Sequence, residues 1–388
     1  MKKLSIIALA FLLLLSGCAP NFQKKDEVVQ TKEKEKEKAI IPKYKISDKY
    51  YRTLLPFKPG EARGLIVNNL NTRYDINEFE MGLMRIAQHS FDPDKYVFRE
   101  GQELDRKTVK LWLNRKYTKD QLAKEGLKDA ENIGLNPLNE EKGDLKTSLA
   151  NHPIYLSHIL EHDYMIKGDN DTVKLGGVTI GLALNSIYYY QPVPFGDTFE
   201  KKIPQDEIVR EGHKIAEEML KRLRGMKDLS DVPITIAMFE QQSRSSVIPG
   251  TFLEYTDVDS GSSSIDSWEK VDEKYYLFPS NQAMDDHRDD ATAFLNFKQD
   301  VEEYFPNFNG VIGKAFYEGD QLQELNITIP IQFYGKAESI GFTQYVAGLV
   351  MEHFPKYISV SVNVTSVDGP EALIDRKADQ NEPYVHIY

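Results

Sequence analysis

One cysteine in 388 residues, Cys18, sets the terms on which this chain can fold. A single thiol forms no internal disulfide and leaves no thiolate metal site or catalytic cysteine further along. The folded part must therefore hold together through its core alone. What precedes Cys18 gives the thiol a different use. Lys2 and Lys3 are followed by Leu4–Leu15, apolar throughout except for Ser5, and then by Ser16 and Gly17. A run of twelve residues is too short to span a bilayer, which needs about 20 helical residues. It matches the h-region of a secretory signal peptide. Small residues directly before a cysteine suit lipoprotein maturation, in which a diacylglyceryl transferase loads the thiol and a lipoprotein signal peptidase cuts between Gly17 and Cys18. The competing reading is an ordinary signal peptide with an incidental cysteine.

Residues 1–17 are thus read as a signal peptide, with Cys18 as the acylated first residue of the mature protein. Two or more acyl chains, palmitate among them, anchor stably where one does not. The expected location is the outer face of the cell membrane. Residues 18–43, with Lys-Glu alternation from Lys32 to Lys38, are expected to form a disordered tether: like charges at i,i+4 oppose a helix. Without Lys2 and Lys3 the mature chain has 46 basic and 60 acidic residues, a net charge of −14. That excess argues against a nucleic-acid partner, since neutralising phosphates needs a basic surface.

The remainder reads as mixed α/β in two lobes, 44–290 and 291–388. Asp75–His89, Thr108–Tyr117 and His152–Met165 are expected as helices, with Lys119–Ala150 as loop or loose helix. Val173–Tyr190 reads as a strand, Pro204–Arg224 as an amphipathic helix and Val232–Phe239 as a strand. The same order recurs as strand Leu325–Phe333, helix Glu338–Phe354 and strand Tyr357–Thr365. Two strand-helix-strand units suggest a distant internal duplication, against coincidence between common motifs. Before the second unit, Ala293–Phe305 reads as a helix. Gly310–Tyr317 then turns through Gly319-Asp320 into a hairpin. Asp257–Ser267 and Asn281–Asp290 read as polar loops between the lobes.

Two constellations bear on chemistry. His158-x-x-Glu161-His162 is an H-x-x-E-H pattern; on a helix it would place two imidazoles on one face with a carboxylate beside them, as in inverted zinc peptidases. The alternative is two incidental histidines, and no metal or other cofactor is assigned. Tyr188-Tyr189-Tyr190-Gln191, at a strand end, fits a groove for a peptide or cell-wall glycan; buried core tyrosines are the alternative. Serine-hydrolase elbow, P-loop and dinucleotide signatures are absent from the sequence.

Longer strings carry more. YYRTLLPFKPGEARGL (Tyr50–Leu65), Phe79–Leu104, HPIYLSHILEHDYM (His152–Met165), GLALNSIYYYQ (Gly181–Gln191) and GVIGKAFYEGD (Gly310–Asp320) resemble the CamS family of sex-pheromone precursor lipoproteins of Gram-positive bacteria. The likeness extends over essentially the whole chain. It implies that the released signal peptide is trimmed to a short apolar peptide that acts as a mating signal. Here that peptide would lie within Ala10, Phe11, Leu12, Leu13, Leu14, Leu15, Ser16 and Gly17. The resemblance implies repeats and no established enzymatic activity. The reading is a membrane-anchored, non-enzymatic envelope-binding protein, with a zinc hydrolase or a purely structural lipoprotein as alternatives.

Overall fold

The computed structural model describes residues 26–32, 35–140, 143–168, 172–304 and 310–388. The signal peptide, the candidate pheromone segment and Cys18 lie outside the described residues.

In chain order the first lobe runs β1 (Asp26–Lys32), β2 (Glu35–Ile41), β3 (Arg52–Thr53), α1 (Ile66–Asn69), α2 (Arg73–Ala87), β4 (Tyr96–Glu100), α3 (Arg106–Leu113), α4 (Lys119–Glu125) and α5 (Leu145–Asn151). It continues with β5 (Leu156–Lys167), β6 (Thr172–Asn185), β7 (Ile187–Tyr190), β8 (Phe199–Lys202), α6 (Gln205–Arg224), β9 (Ile234–Gln241), β10 (Thr251–Val258) and β11 (Glu269–Lys270). The second lobe holds β12 (Glu273–Phe278), α7 (Asn281–Asp286), α8 (Arg288–Tyr304), β13 (Ile312–Glu318), β14 (Gln321–Pro330), α9 (Lys336–His353), β15 (Ser359–Ser366), β16 (Gly369–Arg376) and β17 (Tyr384–Ile387).

The first sheet is ordered β11-β10-β9-β6-β5-β4-β3, and the second β12-β13-β14-β15-β16-β17. Aligning β4-β5-β6-β9-β10-β11 with β12 to β17 matches every junction. The pairings run antiparallel, antiparallel, parallel, antiparallel, antiparallel in both lobes. The parallel junction is bridged in each lobe by the crossover helix, α6 or α9. Helices are also inserted after the first strand of each set. The expected strand-helix-strand repeat is therefore the centre of a six-strand unit used twice.

Packing differs between the two copies. In the first lobe, Phe79, Leu83 and Ile86 of α2 pack with Ala183, Ala237 and Phe239 on one face of the sheet. Ile208, Ile215, Met219 and Leu223 of α6 cover Val178, Ile180 and Ile236 on the other. Burial on both faces explains the unbroken apolar runs of β6 and β9. Gly181 lets α2 approach closely, since a Cβ there would meet Phe79 Cε2 at 2.7 Å. In the second lobe α8 and α9 share one apolar cluster with the sheet, through Phe294, Phe297, Phe342 and Val346. Its strands β14 and β15 alternate buried with more exposed positions.

Four expectations are corrected. His152–Met165 is not a helix: Leu156–Lys167 is the twelve-residue strand β5. β-sheet pairing on both sides, with β4 and β6, overrides its helix-like spacing. The lobe changeover falls at 271–272 instead of 290, because β12 belongs to the second sheet and the polar stretch after it forms α7 and the start of α8. The long strand Val173–Tyr190 divides at Ser186, whose hydroxyl donates to the Gln241 carbonyl, and β7 leaves to pair with β8. The tether's described residues are strands instead of free chain: β1 and β2 pair antiparallel, and Val29 and Gln30 add to the end of β6. Ala39 and Ile41 seat this hairpin in a cluster with Leu54, Val97, Met165 and Val173. A Lys-Glu alternation of period two, unfavourable in a helix, suits an extended strand.

Candidate functional site

β4 stops pairing at Glu100, so β5 from Glu161 back towards its start lacks that neighbour. A cavity of about 140 Å³ opens there, between the sheet and α2. Its walls are mainly apolar, with Met81 and Met84 from α2 facing Phe98 and Leu160 from the sheet. His158 and His162 line it and are 1% and 3% exposed. Burial pushes the His158 imidazole down to about 4 and that of His162 to about 3, so both are neutral near pH 7. His162 Nδ1 is buried with no hydrogen-bond partner in the fold. His158 Nδ1 lies 3.5 Å from Asn69 Nδ2, too far for a strong bond.

The rim is charged. Arg63 Nη1 lies 3.2 Å from Glu100 Oε1, and the Gly60 amide donates to Glu100 Oε2 at 2.6 Å. Glu80, from the first turns of α2, completes the rim. Burial and the Glu100 carboxylate raise its pKa, and Arg63 opposes them. The rim thus holds two carboxylates and one guanidinium.

Along the strand Glu161 and Asp163 alternate with His158 and His162, although Glu161 also reaches the cavity wall at the sheet edge. Glu161 accepts from the Leu104 amide at 2.8 Å and the Glu103 amide at 3.1 Å. Asp163 accepts from Arg99 Nε at 2.9 Å and Nη2 at 2.5 Å. Burial first, and then Asp163, push Glu161 well above the carboxylate range, and burial raises Asp163 as well. With its oxygens taken by backbone amides, Glu161 is not placed as a general base beside the imidazoles. Residues four apart on a strand are also about 13 Å apart along it, against about 6 Å on a helix. The zinc-peptidase arrangement is therefore not formed by His158, Glu161 and His162. Among the described residues, no three His, Cys, Asp or Glu side chains are grouped to hold a metal ion.

The tyrosine run divides likewise. Tyr188 and Tyr190 are 7% and 8% exposed and stack at 5.3 Å, so both belong to the core. Tyr189 faces a shallow recess, with the Arg244 guanidinium 4.2 Å from its ring centroid. Gln191 closes the following turn, donating to Gly196 O and Thr198 Oγ1. Alternation along β7, invisible in three consecutive tyrosines, decides which ring is buried.

A larger groove of about 1130 Å³ lies where the lobes meet, between α6, β10 and β12. Glu240, at the carboxyl end of β9, accepts from Gln205 Nε2 at 2.9 Å. His213 stacks on Trp268 at 4.5 Å and meets Glu254 Oε2 at 2.7 Å. Carboxyl ends of parallel strands are common ligand positions in α/β sheets. Beside it, Arg85 of α2 bridges Glu78 at 2.7 Å and Glu273 of β12 at 2.5 Å, while Tyr275 donates to Glu78. This cross-lobe cluster and the cavity rim were missed in the sequence, because their residues are dispersed in charged stretches of ordinary composition.

Fold and site together define a tandem α/β protein with one recess under α2 and another where the lobes meet. The chain belongs to the family described as CamS sex pheromone cAM373 precursor, whose model matches residues 57–382. It is similar to a sex pheromone precursor from Lactobacillus salivarius subsp. salivarius UCC118, at 31% identity and a TM-score of 0.79, over 89% of this chain and 98% of that one. It is also similar to the C-terminal domain of the sex pheromone staph-cAM373 precursor from Staphylococcus aureus. There the identity is 36% and the TM-score 0.72, over 82% of this chain and 98% of that one. No curated protein matches it. Among the described residues no helix is long and apolar enough to cross a membrane.

Proposed function

We propose that this pheromone-precursor-family protein is exported, cut before Cys18 and anchored by acyl chains to the outer face of the cell membrane. Its signal peptide then supplies an apolar fragment from Ala10–Gly17, and the mature lobes bind a peptide or glycan of the cell envelope. Family membership over residues 57–382 carries the precursor reading. The signal-like run ending Ser16-Gly17-Cys18 supports the anchor. The groove between the lobes and the cavity under α2 support binding by the mature part. CamS precursors are not a known enzyme family, and the strand placement of His158, Glu161 and His162 favours no hydrolytic chemistry.

Mass spectrometry of culture medium tests the peptide part. The reading expects a fragment within Ala10–Gly17 in wild-type medium and its loss in a Cys18→Ala strain. A medium free of such fragments while the mature protein accumulates would contradict it.

A further inference from the structure

We infer that the cavity between α2 and the β4–β5 edge is a binding site for a small organic amine with an apolar ring or branched chain, the ammonium held at Glu80 and Glu100. The inference rests on the reading of the mature lobes as a binding module and gives that module one site and one ligand chemistry.

Size comes first. About 140 Å³ is close to the ~150 Å³ of an engineered cavity known to admit benzene, so one six-membered ring or a branched chain of similar bulk fits. Met81, Met84, Phe98 and Leu160 offer soft, polarizable walls to such a body. Charge comes next. The rim has two carboxylates and one guanidinium, and Arg63 and the Gly60 amide already engage Glu100. The remaining excess is negative and sits where burial weakens its solvation, which favours an ammonium over a carboxylate. The interior adds a polar handle: His162 is 3% exposed and brings an unpartnered Nδ1 to the wall. Buried polar atoms are nearly always hydrogen-bonded, so the ring beside the cavity has an unmet bond that the wall itself does not supply. Gly60, Ala62 and Arg63, from the loop before α1, line the outer side of the cavity.

Phenethylamine is a suitable probe, with phenylacetate and toluene as its anionic and neutral counterparts. The full mature protein in lipid nanodiscs is titrated calorimetrically against each, with empty nanodiscs as blank. The expected result is saturable binding of phenethylamine, at least tenfold tighter than either counterpart, with a shift of the His162 imidazole resonances. Glu80→Gln should weaken the amine tenfold or more while leaving toluene unchanged. Met84→Trp should fill the cavity and abolish binding. Equal binding of toluene and amine, tighter phenylacetate, an unaffected Glu80→Gln variant or no saturable binding would each overturn the inference. A failure here leaves the inter-lobe groove and the Cys18 anchor untouched, because the Glu80 and Met84 variants report on this cavity alone.

Discussion

At the residue scale, the same side chain takes its role from the face it occupies. His158 and His162 look like metal ligands in the sequence, yet in β5 they are neutral, buried imidazoles, and Glu161 is held by backbone amides. Asn136, unremarked in an Asn-Pro loop, is buried and fully used. Its Nδ2 donates to the Leu113 and Leu156 carbonyls, and its Oδ1 accepts from the Tyr155 and Leu156 amides, all within 3.0 Å. No local pattern distinguishes it from an exposed loop asparagine, since all its partners are backbone atoms brought in by the fold. Neutral burial of His162 has a consequence for stability. Its pKa falls from 6.5 in the unfolded chain to about 3 in the fold, so below pH 6.5 only the unfolded state takes up the proton. That contribution is whole above pH 6.5 and drains away as pH falls towards 3. At pH 5 the loss is about 2 kcal/mol, from 1.36 kcal/mol per pKa unit. Urea denaturation of wild type and His162→Leu should therefore show wild type losing about 2 kcal/mol more than the variant between pH 7.5 and 5. Equal losses would mean His162 is protonated in the fold.

Among elements, periodicity was a sound guide wherever one face is buried, and it misled where pairing decides. The helices at Arg73–Ala87, Gln205–Arg224 and Lys336–His353 and the strands at Ile234–Gln241 and Ser359–Ser366 lie close to their expected positions. β5 was misread because a strand buried on both faces carries no period of two. Edge strands β11, β12 and β17 were missed because they are short, at two, six and four residues, and lack a clear alternation. The Lys-Glu tract shows the same limit, since its order comes from Ala39 and Ile41 and from pairing with β6. Trypsin can check this element. Cleavage after Lys36 and Lys38 should be markedly slower than after Lys24 and Lys25, which precede β1. Equally rapid cleavage at all four would return the tract to a free tether.

Over the whole molecule, one six-strand plan is used twice, and the join between copies is polar. Arg85, Glu78, Glu273 and Tyr275 tie α2 to β12, and Arg85 also lies 4.9 Å from the Phe316 ring centroid. Glu78 and Glu273 are nearly buried while Arg85 is 34% exposed, so removing Arg85 leaves two carboxylates without a counter-charge, at a cost that solvent screening holds below the ~3–5 kcal/mol of a fully buried pair. The strand-helix-strand centre of the repeat was legible, but its flanking strands were not, so the second lobe looked smaller than it is. With β1 seated on the first sheet, only Cys18 to Asp26 separates the proposed anchor from the fold, at most about 29 Å of extended chain. An anchor at Cys18 would therefore keep the first lobe close to the membrane surface. The account's central claim is that Cys18 becomes an acylated N-terminus, and mass spectrometry of the N-terminal peptide from the membrane fraction tests this most directly. The account predicts a peptide beginning at Cys18 and carrying the mass of two or more acyl chains. A peptide with unmodified Cys18, or one that still carries Ala10–Gly17, would contradict it.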